Sequence, residues 1–176
     1  RYVRKDGSVM WAQRSGVVVR DANGQPLYAL GSIEDISQYR ASQETLQALN
    51  ESLKAVVETS PLAIYSVTPN GIVTLWNPAA EKMLGWKIED VMGKIFFEVA
   101  RLEDEKGNII PKDKRPVEMA RASGTTTTTT TTEYYYVRKD GVRLPVSIIA
   151  APVMAAGKNI GAIEVFRDIT REKEIE

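Results

Sequence analysis

The six residues YVRKDG occur twice in this chain, at positions 2–7 and again at positions 136–141. Each copy leads into an alternating apolar run, a glycine-containing turn and a second run that ends in Asp-Ile-Ser or Asp-Ile-Thr. Asp-Gly and Asn-Gly pairs are strong signals for tight hairpin turns, because these turns need positive φ at their central residues. The repeat therefore predicts one unit of three antiparallel strands that the chain uses twice.

The two copies differ in what precedes them. Residues 61–133 precede the second copy and are long enough to add strands and helices, whereas the first copy opens the sequence. Three strands alone bury little apolar surface and are marginally stable. We therefore expect residues 1–36 to be the C-terminal strands of a truncated first domain and residues 61–168 to be a complete second domain. Residues 169–176 are expected to start an output helix.

Residues 37–60 contain no Gly or Pro and consist largely of good helix formers, which predicts a long linker helix. Its main apolar residues are spaced 3, 4 and 3 positions apart, as in the seam of a coiled coil. The pattern fits a helix that packs on its own domain. It also fits a parallel two-stranded coiled coil that joins two chains, and we favour this second interpretation. The predicted seam consists of Leu46, Leu49, Leu53 and Val56.

The segment between the linker and the second hairpin predicts a mixed α+β domain. Two short strands surround a Pro-Asn-Gly turn, and Asn77 followed by Pro78 has the composition of a helix start. Glycines then follow several short helical stretches, as is common just after a helix end. With the three later strands, this order predicts a five-stranded antiparallel sheet with short helices on one face. The threonine tract at 125–132 is expected to form a long strand whose first residues are loose, and a disordered tract is the alternative.

The composition excludes several kinds of chemistry. The chain has no Cys and no His, so thiolate nucleophiles, zinc–thiolate sites and imidazole bases or ligands are ruled out. Its 23 basic and 23 acidic residues give no net charge, which argues against a general nucleic-acid binder. No phosphate-binding loop or nucleophile motif is present, so we expect no enzyme activity and no metal site in this segment. We expect a cytoplasmic location, which is compatible with a membrane anchor elsewhere in the parent protein.

Three stretches resemble the PAS family of sensory domains. NGIVTLWNPAAEKMLGW at 70–86 is similar to the start of the PAS core, where an Asn opens the first helix. YYVRKDGVRLPVSIIAAPV at 135–153 and GAIEVFRDIT at 161–170 are similar to its closing strands. The resemblance implies the PAS fold, in which a five-stranded sheet cups short helices over an interior pocket, here preceded by the long linker helix.

The resemblance also implies a regulatory role in a larger signalling protein, such as a sensor histidine kinase or a cyclic-dinucleotide enzyme. We expect a homodimer held by the linker helix and the PAS domain, with an effector domain downstream in the parent chain. The module is expected to sense a small ligand and to relay signals through its helices. The alternative is a ligand-free dimerisation and transmission module with a fully packed core. The cofactor is unknown, but histidine-ligated haem and a cysteinyl–flavin adduct are excluded because His and Cys are missing.

Strand alternation and the helical pattern select residues expected to line a ligand pocket, although ordinary core packing explains the same residue types. The aspartates of the Asp-Ile-Ser and Asp-Ile-Thr sequences are expected to cap the helices that follow and to pass a shift of the sheet into them. These signal-transfer residues are Asp35, Ser37, Asp168 and Thr170. The candidate pocket residues are Leu75, Asn77, Met83, Phe97, Met119, Tyr134, Tyr136, Ile148, Ala150, Ile163 and Val165.

Overall fold

The computed structural model of the chain describes residues 1–128 and 134–174. The chain forms two compact units, Arg1–Lys54 and Ala55–Glu176. The first unit contains two β-hairpins, whose turns include glycines with positive φ, as the Asp-Gly and Asn-Gly pairs predict. Strands β1 (Tyr2–Val3) and β2 (Val9–Met10) form the small hairpin, β3 (Ala12–Arg20) and β4 (Pro26–Asp35) form the longer one, and helix α1 (Ser37–Thr59) follows.

The second unit is built on an antiparallel sheet. Its strands are β5 (Ala63–Val67), β6 (Val73–Trp76), β7 (Arg101–Glu103), β8 (Thr127–Thr128), β9 (Tyr134–Val137), β10 (Arg143–Ala155) and β11 (Lys158–Asp168). Neighbouring strands follow the order β6-β5-β11-β10-β9-β7, and β8 also pairs with β10. The five predicted strands are all present, and β8 falls within the threonine tract that the sequence predicts to be part of a strand. The short strand β7 is an addition that the sequence pattern did not indicate.

In the described part of the second unit, five short helices and one 3₁₀ turn accompany this sheet, so the predicted α+β fold class is confirmed. A proline opens both α2 and α5, and a glycine in the left-handed region ends each of them, Gly85 with φ 77° and Gly124 with φ 70°. The elements are α2 (Pro78–Leu84), α3 (Ile88–Val91), α4 (Phe96–Val99), the 3₁₀ turn Lys112–Lys114, α5 (Pro116–Ser123) and α6 (Thr170–Lys173). In the described part of the chain, no helix has both the length and the apolar character that crossing a bilayer requires.

The threonine tract is described only in part. Thr127 and Thr128 form β8 and pair with Ala150 and Ile149 of β10. Positions 129–132, where the sequence predicts most of a long strand, lie outside the described residues.

The hydrophobic core of the second unit lies between the inward face of the sheet and helices α2 to α5. Burial alternates along β10, where Val146, Ile148 and Ala150 are buried and the residues between them are more exposed. Fully burying one large apolar side chain contributes about 1.5–3 kcal/mol relative to leaving it exposed. The alternation therefore fixes which face of the sheet closes over the helices.

A long hairpin follows each YVRKDG turn, β3–β4 in the first unit and β10–β11 in the second. The two hairpins pair their strands in the same register. In both, the residue after the aspartate also donates its amide to a carbonyl at the start of the partner strand, Ile36 to Trp11 at 2.8 Å and Ile169 to Pro145 at 3.1 Å. The sequence repeat is therefore a structural repeat. Corresponding pairs are Ala12–Asp35 with Val146–Asp168, Ser15–Ser32 with Ile149–Val165, and Val18–Ala29 with Pro152–Ala162.

Candidate functional site

A fully buried carboxylic acid lies in the middle of the core. Glu164 is 0% exposed and sits on β11, where its cross-strand neighbours are Ala150 on β10 and Tyr65 on β5. Because side chains alternate along a strand, Glu164 shares the inward face with Ala162 and Phe166, which are also buried. Glu164 is absent from the residues that the sequence predicts to line a pocket.

Two tyrosine hydroxyls link this carboxyl group to β5 and β9. The hydroxyl of Tyr136 donates to Oε1 of Glu164 at 2.5 Å, and the hydroxyls of Tyr65 and Tyr136 lie 3.3 Å apart. Among the described residues, Oε2 of Glu164 has no hydrogen-bond partner of normal geometry. A buried polar atom without a partner costs about 1–3 kcal/mol, so one side of the carboxyl group is available for a further interaction.

Burial raises the pKa of Glu164 from 4.5 to about 7, because the interior disfavours the charged form. Hydrogen bonding from Tyr136 and Tyr65, the positive charge of Arg115 and the amide of Val117 act in the opposite direction. Burial, together with the negative charge of Glu164, raises the pKa of both tyrosines well above its usual value. Near neutral pH, Glu164 is therefore the member of this group that changes its protonation state.

A buried arginine completes what we call the interior cluster, which consists of Tyr65, Arg115, Tyr136 and Glu164. Arg115 is 2% exposed and immediately precedes α5. Its Nη1 donates to the carbonyl of Ala100 at 2.7 Å. Its Nε has no hydrogen-bond partner among the described residues. Within the parts of the chain that the structure describes, Oε2 of Glu164, an acceptor, and Nε of Arg115, a donor, thus have no hydrogen-bond partner.

Aromatic rings pack around the interior cluster. The ring centroid of Tyr65 lies 4.0 Å from that of Phe96, and the centroid of Tyr136 lies 5.0 Å from that of Phe166. Trp76 extends the group, with its centroid 5.8 Å from that of Phe96. These distances lie within or just below the range typical of packed aromatic pairs. The rings therefore fill much of the interior beside the carboxyl group.

Some of the predicted pocket residues do lie in this core. Three of them are buried with at most 1% of their surface exposed, and three more are half-buried. The buried residues are Tyr136, Ile148 and Ala150, and the half-buried ones are Leu75, Met83 and Tyr134.

Four other predicted pocket residues lie elsewhere, which corrects their assignment. Ile163 and Val165 are on the outer face of β11, because Glu164 between them points inward. Alternation along the sequence predicts Ile163 and Val165 inside and Glu164 outside, whereas in the structure Glu164 faces the core and its two neighbours face outward. Phe97 is 36% exposed and Met119 is 42% exposed, since their helices turn other residues toward the core.

Asn77 is buried, but all its side-chain hydrogen bonds go to the backbone. Oδ1 accepts from the amides of Ala80 and Ile64, both at 2.9 Å, so the residue caps α2 as predicted. Nδ2 donates to the carbonyls of Val57 at 3.1 Å and Leu62 at 2.9 Å. Asn77 therefore joins backbone segments, which corrects its assignment as a polar contact for a ligand.

The predicted signal-transfer residues lie at the starts of two helices. Oδ1 of Asp35 accepts from the amide of Ser37 at 2.9 Å, at the start of α1. Oδ1 of Asp168 accepts from the amide and the hydroxyl of Thr170 at 2.8 and 2.5 Å, at the start of α6. Hydrogen bonding by Ser37 lowers the pKa of Asp35. Each aspartate thus connects the last strand of a hairpin to the helix that follows.

The apolar seam of α1 is exposed. Its residues share one helix face because they are three and four positions apart. Each of them exposes more than half of its surface: Leu46 53%, Leu49 55%, Leu53 56% and Val56 65%.

A curved antiparallel sheet that encloses a polar cluster and continues into a capped helix defines a small α+β domain with an internal site. One family model, described as PAS fold, matches residues 51–169, and a second, described as PAS domain, matches residues 1–38. The chain belongs to the PAS family.

Related PAS domains occur in larger signalling proteins. Two-component system protein A of Emericella nidulans is 29% identical over 129 residues, which cover 73% of this chain and 18% of that protein. Sensor protein FixL of Bradyrhizobium diazoefficiens is 25% identical over 84 residues, covering 48% and 17% respectively. This chain therefore spans less than a fifth of either relative.

A solved structure shares the fold. The PAS domain of an HTR-like protein from Haloarcula marismortui matches with a TM-score of 0.55 at 19% identity. The match covers 74% of this chain and 99% of that one. At this identity the likeness concerns the fold alone.

Proposed function

We propose that this chain is a sensory and relay module of a larger signalling protein, in which a stimulus acts on the interior of the domain at 61–168. One observation carries the proposal: Glu164 and the cap of α6 belong to the same strand. β11 holds Glu164 inside the core and ends at Asp168, whose carboxylate accepts hydrogen bonds from Thr170, the first residue of α6. A change at the interior cluster therefore acts directly on the strand that leads into the outgoing helix.

Two chains would associate through α1 and the outer face of the sheet. The exposed α1 seam has heptad spacing, and a second copy that covered it would stabilise the dimer by about 1 kcal/mol for each seam side chain, because each is already about half covered. On the sheet, Ile149 is 48% exposed, and Ile163 and Val165 lie on the same outer face. These apolar surfaces support a homodimer.

Residues 1–36 would be the C-terminal strands of another PAS unit, and α1 would be the linker between the two units. The shared strand register and the separate family match at 1–38 support this organisation. Catalysis would belong to other domains of the parent protein. A cytoplasmic location stays a prediction.

The interior allows two forms of this function. The unpartnered atoms of Glu164 and Arg115 favour a small bound ligand that both accepts and donates a hydrogen bond. The alternative is a ligand-free transmission module, which the close packing of the aromatic rings favours.

Native mass spectrometry of the full chain, purified without added ligand, tests the proposal. A dimer that carries a discrete extra mass per chain supports the ligand-binding form, and a dimer of bare chains supports the transmission form. A monomer at all micromolar concentrations contradicts the homodimer.

A further inference from the structure

Within the described residues, strands β5, β9 and β10 and the start of α5 each place a neighbour beside Glu164. Of these neighbours, one is cationic, two are phenols whose raised pKa keeps them neutral at physiological pH, and two carry no titratable side chain. They are Tyr65 on β5, Tyr136 on β9, Ala150 on β10, Arg115 before α5 and Val117 within α5.

The surroundings of Glu164 fully stabilise neither its ionised form nor its neutral form. The carboxylate gains from the hydroxyl of Tyr136 and the charge of Arg115, but it is completely buried and its Oε2 accepts no hydrogen bond from the described residues. The carboxylic acid avoids the cost of burying a charge but loses the attraction to Arg115. These opposing effects hold the pKa at about 7, so both states are populated near neutral pH.

We propose that the stimulus received by this domain is the proton, bound and released by Glu164. This inference rests on the sensory function proposed above. Protonation adds one proton from solvent to the carboxylate and changes no other bond. A proton needs no cavity, which agrees with the aromatic packing around the interior cluster.

Protonation changes how β11 is held in the sheet. The hydrogen bond between Tyr136 and Glu164 crosses β10 and links β11 to β9. A hydrogen bond to a charged acceptor is roughly twice as strong as one between neutral groups. Neutralising Glu164 therefore weakens this one link between β11 and β9 while it relieves the cost of the buried charge, and the hydrogen bonds that Asp168 accepts from Thr170 lie at the end of the same strand.

Infrared spectroscopy of the full chain tests where the proton binds, because protonated and ionised carboxyl groups have separate C=O bands. Titration from about pH 5 to about pH 9 is expected to remove one protonated-carboxyl band with a midpoint near 7. Glu164→Gln keeps the size of the side chain and is expected to abolish this band. Glu118→Gln is the matched control, because Glu118 is also buried but forms an ion pair with Arg121 at 2.6 Å.

Loss of the band in Glu164→Gln and its retention in Glu118→Gln support the proposal. It is overturned if the wild-type protein shows no such titration, or if the band survives in Glu164→Gln. Should Glu164→Gln fail to fold, the wild-type protein labelled with ¹³C at its glutamate carboxyl groups provides the same test by NMR, since one buried glutamate must titrate near neutrality.

Hydrogen exchange in α6 tests the coupling to output. The uncharged amide introduced by Glu164→Gln would mimic the neutral acid, so the wild-type and variant proteins are expected to exchange alike at about pH 6 and severalfold differently at about pH 8. If the exchange rates of wild type and variant differ by the same factor at both pH values, the proton is not the stimulus, although the relay function is supported. Identical exchange at both pH values contradicts the relay function as well.

Discussion

The side-chain amide of Asn77 donates to the backbone carbonyl of Val57 at 3.1 Å and so ties the last turn of α1 to the start of α2. The same side chain accepts from the amide of Ala80 and therefore caps α2. Its bonds to Ile64 and Leu62 bring the first strand of the domain to the same point. One buried residue thus joins the incoming helix to the sheet and to the first core helix.

We predict that Asn77→Asp separates these two roles. Aspartate caps helices as well as asparagine, so the amide exchange of α2 is expected to stay close to wild type. The new carboxyl oxygen would face the carbonyls of Val57 and Leu62 without a donor, at a cost of about 1–3 kcal/mol. Amide exchange at 56–59 is therefore expected to rise, as measured by hydrogen-exchange mass spectrometry.

The control is Asn77→Ala, which removes the cap and the donors together. It is expected to increase exchange in both α1 and α2 and to cost about 1 kcal/mol for the lost cap in addition. If Asn77→Asp leaves exchange at 56–59 unchanged, Asn77 does not hold the end of α1.

The second prediction concerns the pH dependence of stability. Because the pKa of Glu164 is about 7 in the folded state and near 4.5 in the unfolded state, the folded state holds one more proton between these values. The free energy of unfolding should therefore fall as pH rises from about 4.5 to about 7, by at most about 3 kcal/mol, and then level off. Carboxyl groups with lowered pKa, such as that of Asp35, lose their stabilising contribution at lower pH, outside this window.

Urea unfolding of the wild-type protein and of Glu164→Gln across this pH range measures the effect. The substitution is expected to flatten the curve, so that the variant gains stability relative to wild type as pH rises. Equal slopes for both proteins would show that Glu164 has the same pKa in the folded and unfolded states.

The sequence contained enough local information for most of the fold. The turn of each hairpin, the cap at Asn77 and the glycines after α2 and α5 are signals that involve only a few neighbouring residues. The duplicated hairpin made the closing strands of the second unit easier to predict. β7 was missed because a strand of three residues has too little pattern to read.

The interior cluster was missed because its members meet only through long-range pairing. Glu164 lies between Ile163 and Val165, and local alternation assigns the charged residue to solvent. The strand register shows which side chains of β11 face inward, since Ala150 is buried and pairs with Glu164 across the strands. A single acid within the apolar run of a central strand was the available signal. Nothing local indicates that Arg115 reaches the same core.

The third prediction tests how completely the interior is packed. Ala150 is 0% exposed and faces Glu164, so Ala150→Leu adds three carbons beside the aromatic rings. We expect it to lower the free energy of unfolding by about 1–3 kcal/mol. Ala155→Leu is the control on the same strand, because Ala155 is exposed at the end of β10 and the change should alter stability by no more than about 0.5 kcal/mol. Equal stability of wild type and Ala150→Leu would reveal a cavity there and favour the ligand-binding form.

The last prediction concerns α1 as a dimer contact. Leu49 lies in the centre of the exposed seam, so Leu49→Asp in both chains would lose about 1 kcal/mol of apolar burial per chain and place two like charges together. Since about 1.4 kcal/mol corresponds to a tenfold change, the dissociation constant should rise at least about tenfold, as measured by analytical ultracentrifugation. Ala48→Asp adds the same charge one residue away, off the seam, and is expected to leave the dimer intact. If both variants dimerise as wild type does, the outer face of the sheet must carry the association without α1.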